Sequence, residues 1–283
     1  MADEPQHNAR RVHPGAKVRL ADFDSGGSPT IDRAEGEDRL NKAGEELSEL
    51  QELLHGAAGN GVLIILQGMD TSGKDGTIRR ALTWLNPLGC DVTAFKEPTD
   101  DELAHDFLWR VHRACPAKGY IAIFNRSHYE DVLVARVRDL VPRDVWSARY
   151  EQINNFEHLL TRNGTIVLKF FLHIGRQEQQ KRLLEREEEP DKAWKLSVSD
   201  WEDRQDWPAY QQAYEEALQR CSTDAAPWYI VPADHRWYRD LAVAETVVRH
   251  LRKFRKEWES GLKTRGKENL QALRRYRLEH PVK

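Results

Sequence analysis

The sequence predicts an α/β fold: a five-stranded parallel sheet lying between two layers of helices. Two observations carry this. Short continuous apolar runs recur along the chain, as in strands buried on both faces. Stretches of helical periodicity separate them, so strand and helix alternate. A third observation sharpens the prediction. The first run ends in a glycine-rich loop, "GMDTSGKDGT" (Gly68–Thr77), that opens a helix.

Residues 1–40 read as irregular, with Pro14, Gly15 and "SGGSP" as breakers. Leu47, Leu50, Leu53 and Leu54 then recur at helical spacing and predict an amphipathic helix over 41–55. The apolar runs follow at 61–68, 91–96, 119–125, 164–174 and 227–232. Helices are predicted between them at 75–85, 101–113, 129–138 with 145–162, and 176–220, and a last one at 238–258. One domain therefore spans 41–260, and a basic tail occupies 261–283.

The stretch 176–220 is too long for a plain crossover. Pro190 and "LSVSD" should bend it into a two-helix hairpin, with Ser199 or Asp200 capping the second helix. Such a hairpin can close as a lid. The plainer alternative is a surface hairpin with Trp194, Trp201 and Trp207 packed inward.

The totals exclude several classes. The 283 residues carry a formal net charge of −3, so the whole chain is no polyanion-binding surface. The charge is uneven, though: Arg249–Arg277 holds eleven Lys/Arg and three Asp/Glu. Cys90, Cys115 and Cys221 are widely spaced, which suggests neither a zinc site nor a disulfide framework. No apolar run approaches a membrane span, and the first residues lack a secretory signal. A cytoplasmic protein is expected.

The loop comes close to the phosphate-binding pattern G-x-x-x-x-G-K-[ST]. Gly68, Gly73 and Lys74 fit it, but Asp75 stands where a metal-binding hydroxyl is usual. Backbone N–H groups of such a loop converge on an anion, and the helix N-terminus adds its dipole. Asp70 can supply the missing metal ligand. Asp75 suits a structural role at the helix start, and Thr77 is a spare hydroxyl. The third run ends in "FNRSHYEDV" (Phe124–Val132), beside the loop, where α/β sheets bind ligands. Arg126 can stabilise transferring charge there. Its plainer alternative is a salt bridge to a neighbouring acid.

"GMDTSGKDGT", "FKEPTDDELAHDFLWR", "FNRSHYEDVLVARV", "WEDRQDWPAYQQAYEE" and "APWYIVPADHRWYRDLAV" together resemble the polyphosphate kinase 2 family. The likeness runs from about Val12 to Leu251. It implies a thymidylate-kinase-like P-loop kinase fold and transfer of a phosphoryl group from inorganic polyphosphate to a nucleotide. The implied cofactor is Mg2+, for which Mn2+ can substitute. The implied partners are polyphosphate, AMP, ADP and ATP, in a homo-oligomer, dimer or tetramer; neither membrane nor nucleic acid is expected. The implied lid cations are Lys181, Arg182 and Arg186, with Lys192, Lys195 and Arg204 further out. Many members carry Asp where this chain has Asn125. The form Asn125-Arg126-Ser127-His128-Tyr129-Glu130-Asp131 resembles the class III subgroup, which accepts nucleoside monophosphates as well as diphosphates.

The candidate catalytic residues are Asp70, Lys74, Arg126 and Glu130. Gly68, Met69, Thr71, Ser72, Gly73, Asp75, Gly76, Thr77, Asn125, Lys181, Arg182 and Arg186 are candidates for phosphate and nucleotide binding. Asp70 is the leading metal ligand, with Asn125 and Glu130 as further candidates. Two rival readings stay open. One is an ATP-dependent nucleoside monophosphate kinase. The other is a nucleic-acid-binding module that uses the basic end; a helix contacting a neighbouring subunit explains that end more simply.

Overall fold

Seven consecutive buried residues, Gly61–Gln67, form the central strand. The computed structural model describes residues 8–27, 29–189 and 196–280. Its strands are β1 (Arg10–Arg11), β2 (Gly61–Gln67), β3 (Cys90–Ala94), β4 (Ile121–Asn125), β5 (Thr165–His173) and β6 (Trp228–Pro232). They lie in the order β1-β6-β5-β2-β4-β3. The strands β2 to β6 are the five predicted parallel strands, and β1 adds antiparallel to β6. β3 departs from the pattern of buried runs. It is an edge strand whose Asp91, Val92 and Ala94 are exposed.

Helices Arg33–Ala57, Lys74–Ala81 and Arg236–Arg252 pack together in one layer. Helices Arg143–Arg162 and Trp207–Cys221 pack together in the other. The predicted stretches 101–113 and 129–138 are shorter in fact. The first is two helical turns, Asp100–Leu103 and Trp109–Arg113; the second is a 3-10 turn, His128–Asp131, and Val134–Val137.

The first helix starts at Arg33, so 33–40 is not irregular as expected. Asp32 caps it by accepting from the Glu35 backbone N–H. Gly36 and Gly44 let Trp237 and Trp84 pack against its backbone, where a Cβ would collide. The basic end also differs from expectation. The last predicted helix divides into Arg236–Arg252 and Arg255–Glu279, and the second takes in most of the expected tail. It is rich in good helix formers. Trp258 is buried and donates to Asn60 Oδ1 at 2.8 Å, but every residue from Leu262 to His280 is exposed.

Among the described residues the hairpin has three helices rather than two: Arg176–Glu188, Val198–Gln205 and Trp207–Cys221. Ser197, not Ser199 or Asp200, caps the second, accepting from the Ser199 N–H at 3.2 Å. The extra break falls at Asp206, where Pro208 opens the third helix in its first turn. Trp207 packs partly against the core, and Trp201 donates to Glu187 Oε1 across the two arms. Pro190, Lys192, Trp194 and Lys195 lie outside the described residues.

Candidate active site

Strand β2 delivers the loop Gly68–Gly73 to the carboxyl edge of the sheet, and the helix Lys74–Ala81 begins at once. Gly73 has φ 99°, a conformation that favours glycine, and the Arg239 guanidinium leaves no room for a Cβ there. No side chain caps this helix, so its first N–H groups are available to an anion. Thr71 Oγ1 and Ser72 Oγ are buried with no partner among the described residues. Met69 is buried beneath the loop. Lys74 Nζ folds back over the loop, donating to Gly68 O at 2.7 Å and Met69 O at 3.3 Å. Burial pushes its ammonium pKa down, against the pull of Asp70, Glu130 and Asp75.

Strand β4 brings the second half of the site. Asn125 Nδ2 donates to Asp75 Oδ1 at 2.8 Å, which ties the end of the strand to the loop helix. Arg126 has φ 63°, unusual for a residue with a side chain, and its N–H is held by Leu66 O at 3.0 Å. Its Nη2 donates to Asp70 Oδ1 at 2.8 Å, and its Nη1 lies 3.8 Å from Glu130 Oε2. Burial pushes the Asp70 carboxyl up, but Lys74, Arg126 and Arg186 outweigh it and hold it below its ordinary value. Glu130 is raised by burial, against Arg126 and Lys74.

Four of the predicted residues thus converge: Asp70, Lys74, Arg126 and Glu130. Thr77 does not join them. It is buried, and its hydroxyl turns to Asp240 Oδ1 at 3.4 Å. Gly76 packs beside Arg239 in the same underlayer.

The three lid cations part company. Lys181 is 66% exposed, with Glu178 and Glu185 each at 3.8 Å. Arg182 is buried at the foot of the lid. It donates to Glu178 Oε1, to Thr71 O at 3.0 Å, and to the carbonyls of Ala233 and Asp234. Its donors hold the loop from beneath. Arg186 reaches the site side and donates to Asp200 Oδ2 at 2.7 Å. Arg204 braces the lid, donating to Arg176 O, Gln179 and Gln180.

Sequence reasoning missed the acids that the lid brings in. Asp200 is pushed up to about 6, by burial first and by the nearby Asp70 second. Asp203 faces Asp70 and accepts from Arg138 and from the Tyr210 hydroxyl. The three-residue spacing of Asp200 and Asp203 on one helical face was the available signal. Also missed was Arg239, which is paired with Asp240 and donates to Ser72 O at 3.2 Å. It supports the loop as Arg182 does.

Among the described residues no three His, Cys, Asp or Glu side chains form a closed metal cage. Asp70 supplies a carboxylate held below its ordinary pKa at the mouth of the loop. That donor set fits a hard divalent cation which completes its shell with water and substrate phosphate, as Mg2+ does. Asn125 is engaged with Asp75, and Glu130 faces Arg126.

Comparison with known proteins agrees with this geometry. The family Polyphosphate kinase 2 matches residues 30–259. AMP/ADP-polyphosphate phosphotransferase of Meiothermus ruber is 47% identical over 85% of this chain and 91% of its own length. ADP-polyphosphate phosphotransferase of Rhodopseudomonas palustris is 41% identical over 92% of this chain and 95% of its own. The crystal structure of Polyphosphate Kinase 2 from Arthrobacter aurescens TC1 superposes with a TM-score of 0.83. It is 39% identical and covers 86% of this chain and 88% of its own. A glycine-rich loop opening a helix, an arginine facing it and a helical hairpin beside them, on a chain with these relatives, have one explanation: the chain belongs to the polyphosphate kinase 2 family.

Proposed function

We propose that this chain transfers the terminal phosphoryl group of inorganic polyphosphate to AMP and to ADP, giving ADP and ATP, reversibly. The observation that carries the reading is the convergence of Lys74 and Arg126 on Asp70 at the loop, with Arg186 of the lid beside them. The acceptor is itself a phosphate, already anionic, so no strong general base is required. An acceptor oxygen attacks the terminal phosphorus, the bridging P–O bond breaks, and the donor leaves one phosphate shorter. Donor and acceptor repel, so alignment and charge neutralisation do most of the work.

Each residue then has a part. The loop N–H groups and Lys74 hold phosphate oxygens. Arg126 leaves Asp70 to stabilise the charge in flight. Arg186 holds the polyphosphate chain at the lid. Asp70 holds Mg2+, which supplies further neutralisation. Glu130 orients the shorter acceptor, AMP. Arg182 and Arg239 keep the loop in shape. The exposed stretch 262–280 suits contact with a second copy of the chain, in a dimer or tetramer of the cytoplasm. Among the described residues no helix is long and apolar enough to cross a membrane.

The test is direct. Purified protein, Mg2+, long-chain polyphosphate and either AMP or ADP are incubated without ATP, and the nucleotides are separated. The reading requires ADP from AMP and ATP from ADP. Product from ADP alone would restrict the acceptor. Product only after ATP is added would favour an ATP-dependent nucleoside monophosphate kinase.

A further inference from the structure

One charge in β5 breaks the apolar logic of that strand. Lys169 sits midway along Thr165–His173 and is fully buried. Glu157, from the helix Arg143–Arg162, faces it and is also buried. Lys169 Nζ donates to Glu157 Oε2, to the Tyr129 hydroxyl at 2.9 Å and to Cys221 O at 2.6 Å, so all three of its donors are used. The Tyr129 hydroxyl donates in turn to Glu157 Oε1 at 2.8 Å. His128 Nε2 lies 3.3 Å from the same oxygen. Burial pushes the Glu157 carboxyl up, but Lys169 and His128 outweigh it and hold it below its ordinary value.

A buried ion pair is weak evidence for stability, because desolvation offsets most of its attraction. Its position is more informative. The two residues it grips, His128 and Tyr129, lie between Arg126 and Glu130 in the chain. Ser127 is held from the other side, its Oγ accepting from Gln67 Nε2 at 3.1 Å and from the Tyr129 N–H at 3.2 Å. The left-handed backbone of Arg126 and the 3-10 turn His128–Asp131 are thus clamped from below to β5 and to a helix. Neither Lys169 nor Glu157 lines the site.

We propose that the Lys169–Glu157 pair is a positioning element which, through the Tyr129 hydroxyl, aligns Arg126 and Glu130 for phosphoryl transfer. The inference rests on the reading of Arg126 as a residue that acts on the phosphates. A misplacement of about 1 Å at a reacting group can cost on the order of 10²-fold in rate. A buried clamp with defined hydrogen bonds suits that demand, because it fixes both the height and the rotation of the turn.

The test uses Tyr129→Phe, the neutral double variant Lys169→Met with Glu157→Gln, and Arg126→Ala, each alone, together with Tyr129→Phe in the Arg126→Ala background. Thermal unfolding is recorded first, and rates are then taken well below each midpoint. We expect Tyr129→Phe and the neutral pair to unfold cooperatively and to keep KM for nucleotide and polyphosphate within about twofold. Their kcat should fall by about tenfold or more, the signature of a loss confined to the transition state. In the Arg126→Ala background, Tyr129→Phe should change the residual rate little, because the two act as one unit. Parent kcat in the folded variants, or fully additive losses, would overturn the proposal. If the neutral pair fails to fold, Tyr129→Phe decides alone, since it removes one hydroxyl and leaves the ion pair. An inactive Arg126→Ala with a silent Tyr129→Phe sinks only this inference. A fully active Arg126→Ala sinks both it and the reading of the site.

Discussion

Arg126 and Asp70 are bonded to each other, Nη2 to Oδ1 at 2.8 Å, across the mouth of the phosphate loop. In the proposed function each stands in for the other's ligand, a cation on Asp70 and a phosphate on Arg126, and substrate and metal part them. The variant Asp70→Asn should therefore raise the Mg2+ concentration needed for half-maximal rate by more than it raises KM for nucleotide. Titration of Mg2+ against rate measures this. An unchanged midpoint would leave Asp70 as a structural partner of Arg126.

Arg182 and Arg186 share a helical face, yet their neighbours give them different work. Arg182→Ala strips donors from the buried carbonyls of Thr71 and Ala233 and the half-buried carbonyl of Asp234. Each buried group left unpaired costs about 1–3 kcal/mol, so the unfolding midpoint should drop along with activity. Arg186→Ala removes a cation that pairs with Asp200 and also acts on Asp70. It should keep the fold and lower transfer from long-chain polyphosphate by about tenfold or more. Paired melting curves and polyphosphate titrations separate the two; equal loss of stability in both would contradict the division.

The contrast marks where the sequence stops being readable. The strands β2, β4, β5 and β6 were legible because buried apolar runs have few other uses. The loop was legible because its glycines and Lys74 follow one of them. The cap at Ser197 was passed over for its neighbours, since Ser197, Ser199 and Asp200 fall within four residues and offer equivalent caps. Helical spacing places Arg182 and Arg186 on one side, but not at different depths. Lys169 stands alone in an apolar strand of the sequence, because its partners Glu157 and Tyr129 come from other elements. Asp200 and Asp203 reach Asp70 only through the folding of the lid.

The acid Asp200 should be felt in stability. Its carboxyl lies at about 6 in the folded chain, above the unfolded value of 3.8. Its stabilising contribution is thus complete below about pH 3.8 and is lost as pH rises through about 6. Asp200→Asn removes this titration. Without Mg2+, the variant should gain on the parent between pH 4.5 and 7.5, by on the order of 1 kcal/mol once solvent screening of the part-exposed carboxyl is allowed for. Denaturant unfolding at the two pH values gives the difference. A constant difference would mean that Asp200 is relaxed by solvent.

Glu130 is predicted to divide the acceptors. Its carboxylate stands beside Arg126 and can hold a cation or an ordered water that fills the space of AMP's missing phosphate. Glu130→Asn removes the charge and shortens the side chain by one methylene, and Glu130→Gln removes the charge at the same length. AMP phosphorylation should fall several-fold more than ADP phosphorylation when each is assayed separately. An unchanged ratio would return Glu130 to a plain partner of Arg126.

The central claim is that polyphosphate is the phosphoryl donor and that Lys74 and Arg126 serve its transfer. The most direct measurement follows the label from uniformly 32P-labelled polyphosphate into unlabelled AMP, with Mg2+ and no ATP. The account predicts label first in the β-phosphate of ADP, then in the γ-phosphate of ATP. It also predicts loss of the signal by on the order of 10²–10³ in Lys74→Ala. Nucleotide that stays unlabelled with the parent protein, or a Lys74→Ala variant that labels it at the parent rate, would contradict the account.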